Sequence, residues 1–341
     1  MNSLWLDTLT RQGAVFLDGR VARFEGSPPL DSDSFVCDLS HEGTIHVGGV
    51  DAASFLHAQL SNDVLGLADG NAQRTSWCSA KGRMLATMLV WKHAGEFEVQ
   101  LPRSLQAAIQ KRLQMFVLRS KVALSDASEV SVRFGVCGRH AADVLADEIG
   151  ALPEQDLRVA DREFGQVIRL SPLRYQVIAT ADSGIAMWNR LAAKCGRGAA
   201  ADWDRQSIAE GIITVLPETQ DQFVPQMANF ELIGGVSFHK GCYPGQEIVA
   251  RTQYRGILKR RLARVEGIGA APAPGAPVFA AAFGEQAAGS VANSAPKVEG
   301  GFDALVVAQV EAIKADSLRL TGADGSPLKV CTLPYSVPES A

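Results

Sequence analysis

Residues 43–60 read GTIHVGGVDAASFLHAQL, and the fold follows from how that run changes its period. GTIHV suits a strand, and Gly48-Gly49 breaks it. Asp51 then stands as N-cap of a helix over 52–60, with Val50 and Phe55 placed as a hydrophobic staple. Ala52, Leu56 and Leu60 fall on one helical face. Strands follow at 72–78, at 84–91 and at 96–101, where Phe97, Val99 and Leu101 alternate with polar residues. Ser104 caps a helix whose apolar stripe is 105, 109, 113, 116 and 117, and a strand at 121–124 closes the unit. The order β-α-β-β-(β)-α-β is that of a ferredoxin-like split βαβ module.

The pattern recurs downstream. Val130, Val132, Phe134 and Val136 alternate, Gly138 leads into a helix that stops at Gly150, and strands at 164–170 and 175–180 precede a helix over 183–194. Composition shifts at 259. Beyond GIGAAPAPGAP (267–277) come short β-type runs, GSVANS, ALVVAQV, SLRLTGADG and PLKVCTL, which read as a small barrel or sandwich. The expected division is a lead-in at 1–36 (a helix and a Ser/Pro/Asp-rich loop, Ser27 to Ser34) and α+β domains at 37–124 and 125–258. A β-barrel at 259–341 completes it. The first α+β domain is allowed to be discontinuous.

With 341 residues, 47% of them hydrophobic and 21% charged, the chain is globular and large enough for two or three domains. A formal net charge of −4 argues against wrapping duplex nucleic acid, and no aromatic-plus-basic stripe stands out, so no strong direct nucleic-acid binding is expected. The cysteines at 37, 78, 137, 195, 242 and 331 form no CxxC pair, so no metal site is expected. No apolar run of 18 residues exists and the first residues lack signal-peptide character, so no membrane partner and a reducing cytoplasm are expected.

The chemistry concentrates in 229–259, NFELIGGVSFHKGCYPGQEIVARTQYRGILK. VSFH suits a short strand, Pro244 the first position of a helix, and Gly256 its C′ end. Cys242 then sits just before a helix N-terminus with Lys240 two residues away, and both features favour a thiolate. The turn also suits an anion, and Arg251 and Arg255 add charge on one helix face. The plain alternatives are a small hydrophobe packed in a turn and a solvated basic face.

Lys240-Gly241-Cys242-Tyr243-Pro244-Gly245-Gln246-Glu247 resembles the KGCYxGQE signature of the YgfZ family, folate-binding proteins related to the T-protein (aminomethyltransferase) of the glycine cleavage system. PETQDQFVPQMANFELIGGVSF (217–238), IVARTQYRGILKRRL (248–262), GGVDAASFLHAQLSNDV (48–64), WCSAKGRML (77–85) and GSVANS (289–294) carry the likeness over roughly 38–335. It implies an α+β fold of two ferredoxin-like domains plus a C-terminal β-barrel, in a cloverleaf around bound tetrahydrofolate. It also implies a role in assembling or maintaining iron–sulfur clusters in client enzymes, including tRNA-modifying ones, with Cys242 as the functional thiol and Lys240 beside it. A link to the control of chromosomal replication belongs to the same family expectation.

The candidate folate-binding residues are Trp203, Glu210, Lys240, Tyr243, Gln246, Glu247 and Arg251. Trp203 resembles the family's folate-contacting tryptophan, the alternative being a core aromatic. Glu210 stands one position later than the acid of the family's Ile-Glu-Ala-Gly pattern, and 100° of helix rotation separates the two places. The T-proteins carry an Asp-Asp pair after a Gly-Gly turn, and here Leu85 and Ala86 fill those places after Lys81-Gly82-Arg83. Apolar side chains hold no proton, which argues against aminomethyltransferase chemistry. Lys81 and Arg83 suit either an anionic folate tail or a plain hairpin surface. A true aminomethyltransferase and a scaffold or RNA-binding factor in tRNA modification are the competing readings.

Overall fold

The GTIHV strand extends over Glu42–Gly48 and lies inside a five-stranded sheet in the computed structural model, which describes residues 1–26, 34–255 and 258–338. The sheet order is Ala72–Cys78, Met84–His93, Glu96–Pro102, Glu42–Gly48, Ala123–Asp126. Ile45 and Val47 are buried on one face, and on the other Thr44 is buried and His46 half-buried, so the strand is largely covered on both sides. The helix Arg103–Gln114 covers the sheet through Leu105, Ile109 and Leu113. Gly43 permits the close approach, since a Cβ there would lie 2.8 Å from that of Gln106.

Two details of this module differ from expectation. Val50 is exposed, so it staples nothing, while Asp51 stands directly before the helix as expected, its carboxylate also accepting the Lys121 backbone N–H at 2.7 Å. The long helix starts at Arg103 rather than after Ser104 and ends at Gln114, which leaves Phe116 exposed instead of on the buried stripe.

A six-stranded sheet follows, in the order Val159–Arg162, Gly165–Ser171, Arg174–Ala179, Val132–Gly138, Ser34–Asp38, Gly196–Gly198. Its core explains the amino-terminal segment. Trp5 of the helix Ser3–Arg11 is fully buried edge-to-face on Trp188, with centroids 5.2 Å apart, and its indole N–H donates to Asp38 at 2.7 Å. A hairpin, Ala14–Leu17 with Arg20–Phe24, stands where only a loop was expected; of the expected loop at 27–34, residues 27–33 lie outside the described residues and Ser34 opens the strand Ser34–Asp38.

The C-terminal sheet has six strands in the order Arg319–Leu320, Pro277–Phe279, Gly289–Pro296, Phe302–Gln309, Arg260–Gly267, Lys329–Cys331, and it curls into a half-barrel. Its core is built from small and branched side chains, Val265, Val291, Ala304 and Val306 among them. The chain forms two compact units interleaved in sequence. One comprises Met1–Ala53, Gly66–Gln73 and Leu89–Trp203, the other Ser54–Leu65, Arg74–Met88 and Asp204–Ala341. Among the described residues no helix is long and apolar enough to cross a membrane.

Candidate functional site

The turn that carries Cys242 is fixed by its buried neighbours, all within the second unit. Asn62 donates to the Gly234 carbonyl at 2.7 Å, Ser61 to that of Gly235 at 2.8 Å, and the Ser237 N–H returns a bond to Ser61 at 3.0 Å. These bonds hold VSFH as irregular chain, not the expected strand, because its backbone donors pair with a loop and not with a ladder.

Lys240 is 9% exposed, and its ammonium donates to the carbonyls of His57, in the last turn of the helix Ala52–Gln59, and of Leu60 just beyond it, the latter at 2.6 Å. Helix ends leave such carbonyls without intrahelical partners, and a cation there also meets the negative end of the dipole. The ammonium also lies 4.8 Å from the centre of the Tyr243 ring. Burial pulls Lys240 down to about 8, against the opposing charges of Asp63 and Cys242. It therefore remains charged at neutral pH. His57 stands beside it with Nδ1 3.1 Å from the Asp63 carboxylate. Burial and the Lys240 charge lower the His57 imidazole below its usual range, and Asp63 pulls the other way.

Past Cys242 the chain meets the hairpin turn of Lys81-Gly82-Arg83. Gly245 adopts φ +78°, and a Cβ there would lie 2.3 Å from the Ser79 carbonyl oxygen and 2.5 Å from the Gly82 Cα. Gly82 mirrors it at φ +70°, with a Cβ meeting Ile248 at 2.9 Å. The helix opens at Gln246, two residues later than Pro244 suggested, because the left-handed Gly245 intervenes. Cys242 therefore stands four residues ahead of the helix and not at its first turn. Gly256, the expected C′ residue, lies outside the described residues, as does the side chain of Arg255.

The other candidates divide sharply. Tyr243 is buried, with its hydroxyl pushed up by desolvation, and Gln246 reaches back toward the Lys240 carbonyl at 3.5 Å. Glu247 and Arg251 are exposed on the helix. Glu210 closes its helix as C-cap: the N–H of Gly211 bonds Ile208 and that of Ile212 bonds Ser207, a Schellman pair, with Gly211 at φ +67°. Its side chain is half-buried.

Trp203 belongs to the first unit and is 5% exposed. Gly135 gives its ring room, since a Cβ there would lie 2.1 Å from it, and the Arg174 guanidinium covers the ring at 4.8 Å. A core tryptophan with a cation already stacked on it does not present a face to a pterin. Leu85 and Ala86 are buried in the strand Met84–His93, and Arg83 donates to the Asp221 carbonyl at 3.1 Å. His57 and Asp63 escaped the sequence reading, because a helix-end histidine near an acid looks like ordinary surface.

Access sets Cys242 apart from the other thiols. It is exposed, whereas Cys37, Cys78 and Cys137 are buried and Cys195 and Cys331 half-buried. Burial also pushes Cys78 up to about 12 and Cys195 to about 11, and raises Cys331. Since the thiolate is the reactive form, Cys242 is expected to alkylate first and fastest in the folded protein. Peptide-resolved iodoacetamide labelling checks this, and equal rates at Cys242 and Cys331 would refute it.

The arrangement of sheets is that of an aminomethyltransferase T-protein. A solved glycine cleavage system aminomethyltransferase T from Bartonella henselae superimposes with a TM-score of 0.80 at 16% identity, covering 98% of this chain and 97% of that one. The GCVT N-terminal domain family matches residues 30–191. More specific likeness lies elsewhere. The "tRNA-modifying protein YgfZ" of Cronobacter sakazakii is 32% identical over 236 residues, 67% of this chain and 70% of that protein. The protein of the same name from Edwardsiella ictaluri is 32% identical over 256 residues, 72% and 76%. The chain belongs to the YgfZ family.

Proposed function

We propose that the chain is a cytoplasmic, tetrahydrofolate-binding accessory protein that supports iron–sulfur cluster assembly or repair in client enzymes, tRNA-modifying enzymes among them, with Cys242 as its functional thiol. The observation that carries this reading is the one exposed cysteine of the six, on a turn that buried Lys240 and two left-handed glycines hold in place. The name of the relatives, tRNA-modifying protein, supplies the link to tRNA modification.

The T-protein fold implies folate, and the residues fit it unevenly. Arg251 offers an exposed guanidinium for the carboxylates of a glutamate tail, and the half-buried Glu210 carboxylate offers paired acceptors for a pterin edge. Tyr243, Gln246 and Lys240 brace the turn, while Trp203 is already packed against Arg174. Bound reduced folate would supply a carrier for one-carbon units. Calorimetry with tetrahydrofolate and its polyglutamates tests the fit. We expect binding that weakens with salt and with Arg251→Ala, and silence at millimolar ligand would remove folate from the proposal.

The aminomethyltransferase alternative lacks its acid, because Leu85 is 6% exposed and Ala86 fully buried, both apolar. No turnover above background is expected with tetrahydrofolate and an aminomethylated lipoyl carrier protein, measured as ammonia release. The cellular test is a deletion strain assayed for iron–sulfur enzyme activity and modified tRNA nucleosides. Wild type should restore both and Cys242→Ala neither; full rescue by Cys242→Ala overturns the role given to the thiol.

A further inference from the structure

We propose that the segment 111–121, the last turn of the helix Arg103–Gln114 and the loop after it, is an RNA-docking surface, in which Phe116 stacks on an unpaired base and Arg119 and Lys121 meet the adjoining phosphates. The choice of RNA rests on the tRNA-linked reading above; it is independent of folate binding.

The first observation is charge. Between Glu98 and Asp126 the sequence has no acid at all, yet it carries Arg103, Lys111, Arg112, Arg119 and Lys121, in a chain whose net charge is −4. Arg103 is paired with Glu129 and Asp126; Lys111 and Arg112 are exposed on the last turn of the helix, and Arg119 and Lys121 on the loop after it. Net charge argues against wrapping a duplex, but it leaves open contact through a single cationic projection.

The second observation is the apolar tip. Met115 is 63% exposed, Phe116 45% and Leu118 87%. Leu118 also adopts φ +47°, a conformation that a branched side chain takes at a cost and that is retained where the surroundings demand it. Phe116, Val117, Leu118, Arg119 and Ser120 line a shallow hollow. The base of the loop is firm. Lys121 donates its N–H to Asp51 at 2.7 Å and accepts the Asp51 N–H at 3.4 Å, and the bare Cα of Gly49 lies against the Lys121 carbonyl.

An exposed aromatic with cations on the same segment is what single-stranded nucleic acid uses, because every base has a π-face and every linkage a charge. Folded RNAs recognised by proteins present such splayed bases in their loops. A neutral apolar partner would gain nothing from four cations.

The test is fluorescence anisotropy of labelled, unfractionated tRNA titrated with the full chain at several salt concentrations. Binding should weaken as salt rises, with each phosphate contact adding about 0.7 to the log–log slope. Arg119→Glu/Lys121→Glu should weaken binding more than tenfold and flatten that slope. Phe116→Ala should weaken it about tenfold with the slope unchanged, given the usual worth of one stacked base. Lys314→Glu, an exposed cation of the C-terminal region, should change nothing. Three results overturn the proposal: no tRNA binding at the lowest salt, equal losses in Lys314→Glu, or no effect of Phe116→Ala. A fourth is capture by phosphatidylcholine–phosphatidylglycerol vesicles, lost in Phe116→Ala, without tRNA binding, which would make the loop a membrane contact. None of these bears on rescue by Cys242, so the two readings fail separately.

Discussion

Gly245→Ala is expected to lower the thermal midpoint more than any other single-methyl addition around the Cys242 turn. Two penalties coincide there. The left-handed φ of +78° costs an alanine about 1 kcal/mol. The new Cβ would also stand 2.3 Å from the Ser79 oxygen and 2.5 Å from the Gly82 Cα, both backbone atoms of a tight hairpin turn that cannot rotate aside. Overpacking of this kind adds roughly 1–3 kcal/mol, so a total near 3 kcal/mol is expected. Gly82→Ala acts on the same contact from the other side, since its Cβ would meet the Gly245 oxygen at 3.1 Å as well as Ile248. Once one methyl has pushed the two turns apart, the second costs less, and the double variant should fall short of the sum. Thermal melts of the two single variants and the double variant, read beside Cys242 labelling rates, check this. An unchanged midpoint for Gly245→Ala would mean that the turns are not in contact in solution.

The sequence revealed those elements whose residues speak for themselves. The strand Glu96–Pro102, the helix Ala52–Gln59 and the helix ending at Gly150 come within a residue or two of expectation, because alternation, a shared apolar face and a terminal glycine are local signals. What escaped depends on distant partners. Ser34–Asp38 pairs with Val132–Gly138 in one sheet, an association that no window of a few residues contains. The hairpin at 14–24 is short and its strands are mixed in polarity, so its pattern resembles a loop.

The site shows the same division. The structure exposes Cys242 on its turn, but Pro244 as a helix start misled, because the conformation of Gly245 is imposed by the Gly82 turn it touches. Trp203 illustrates the converse. An indole suits a pterin and a core equally well, and only Gly135 on one side and Arg174 on the other decide between them.

Lys240→Met tests whether this lysine serves the chemistry or the frame. Its ammonium caps the carbonyls of His57 and Leu60 while 9% exposed, and methionine fills the same space without a donor. Each buried acceptor left unpaired costs about 1–3 kcal/mol, and relief of the ammonium's own desolvation offsets part, so a net loss near 2 kcal/mol is expected. Lys240→Arg should not rescue, because a planar fork replaces a compact ammonium aimed at two converging carbonyls. The pH dependence carries its own sign. Burial holds Lys240 at about 8 in the fold, against 10.5 in the unfolded chain. Between those values the unfolded chain binds more protons, so wild-type stability should gain with rising pH relative to Lys240→Met. The gap between the two proteins should therefore widen from pH 8 to 10.5 in urea melts. A gap that stays constant over that window would place the ammonium in water and return Lys240 to the surface, and one that narrows would mean that the fold stabilises its charge.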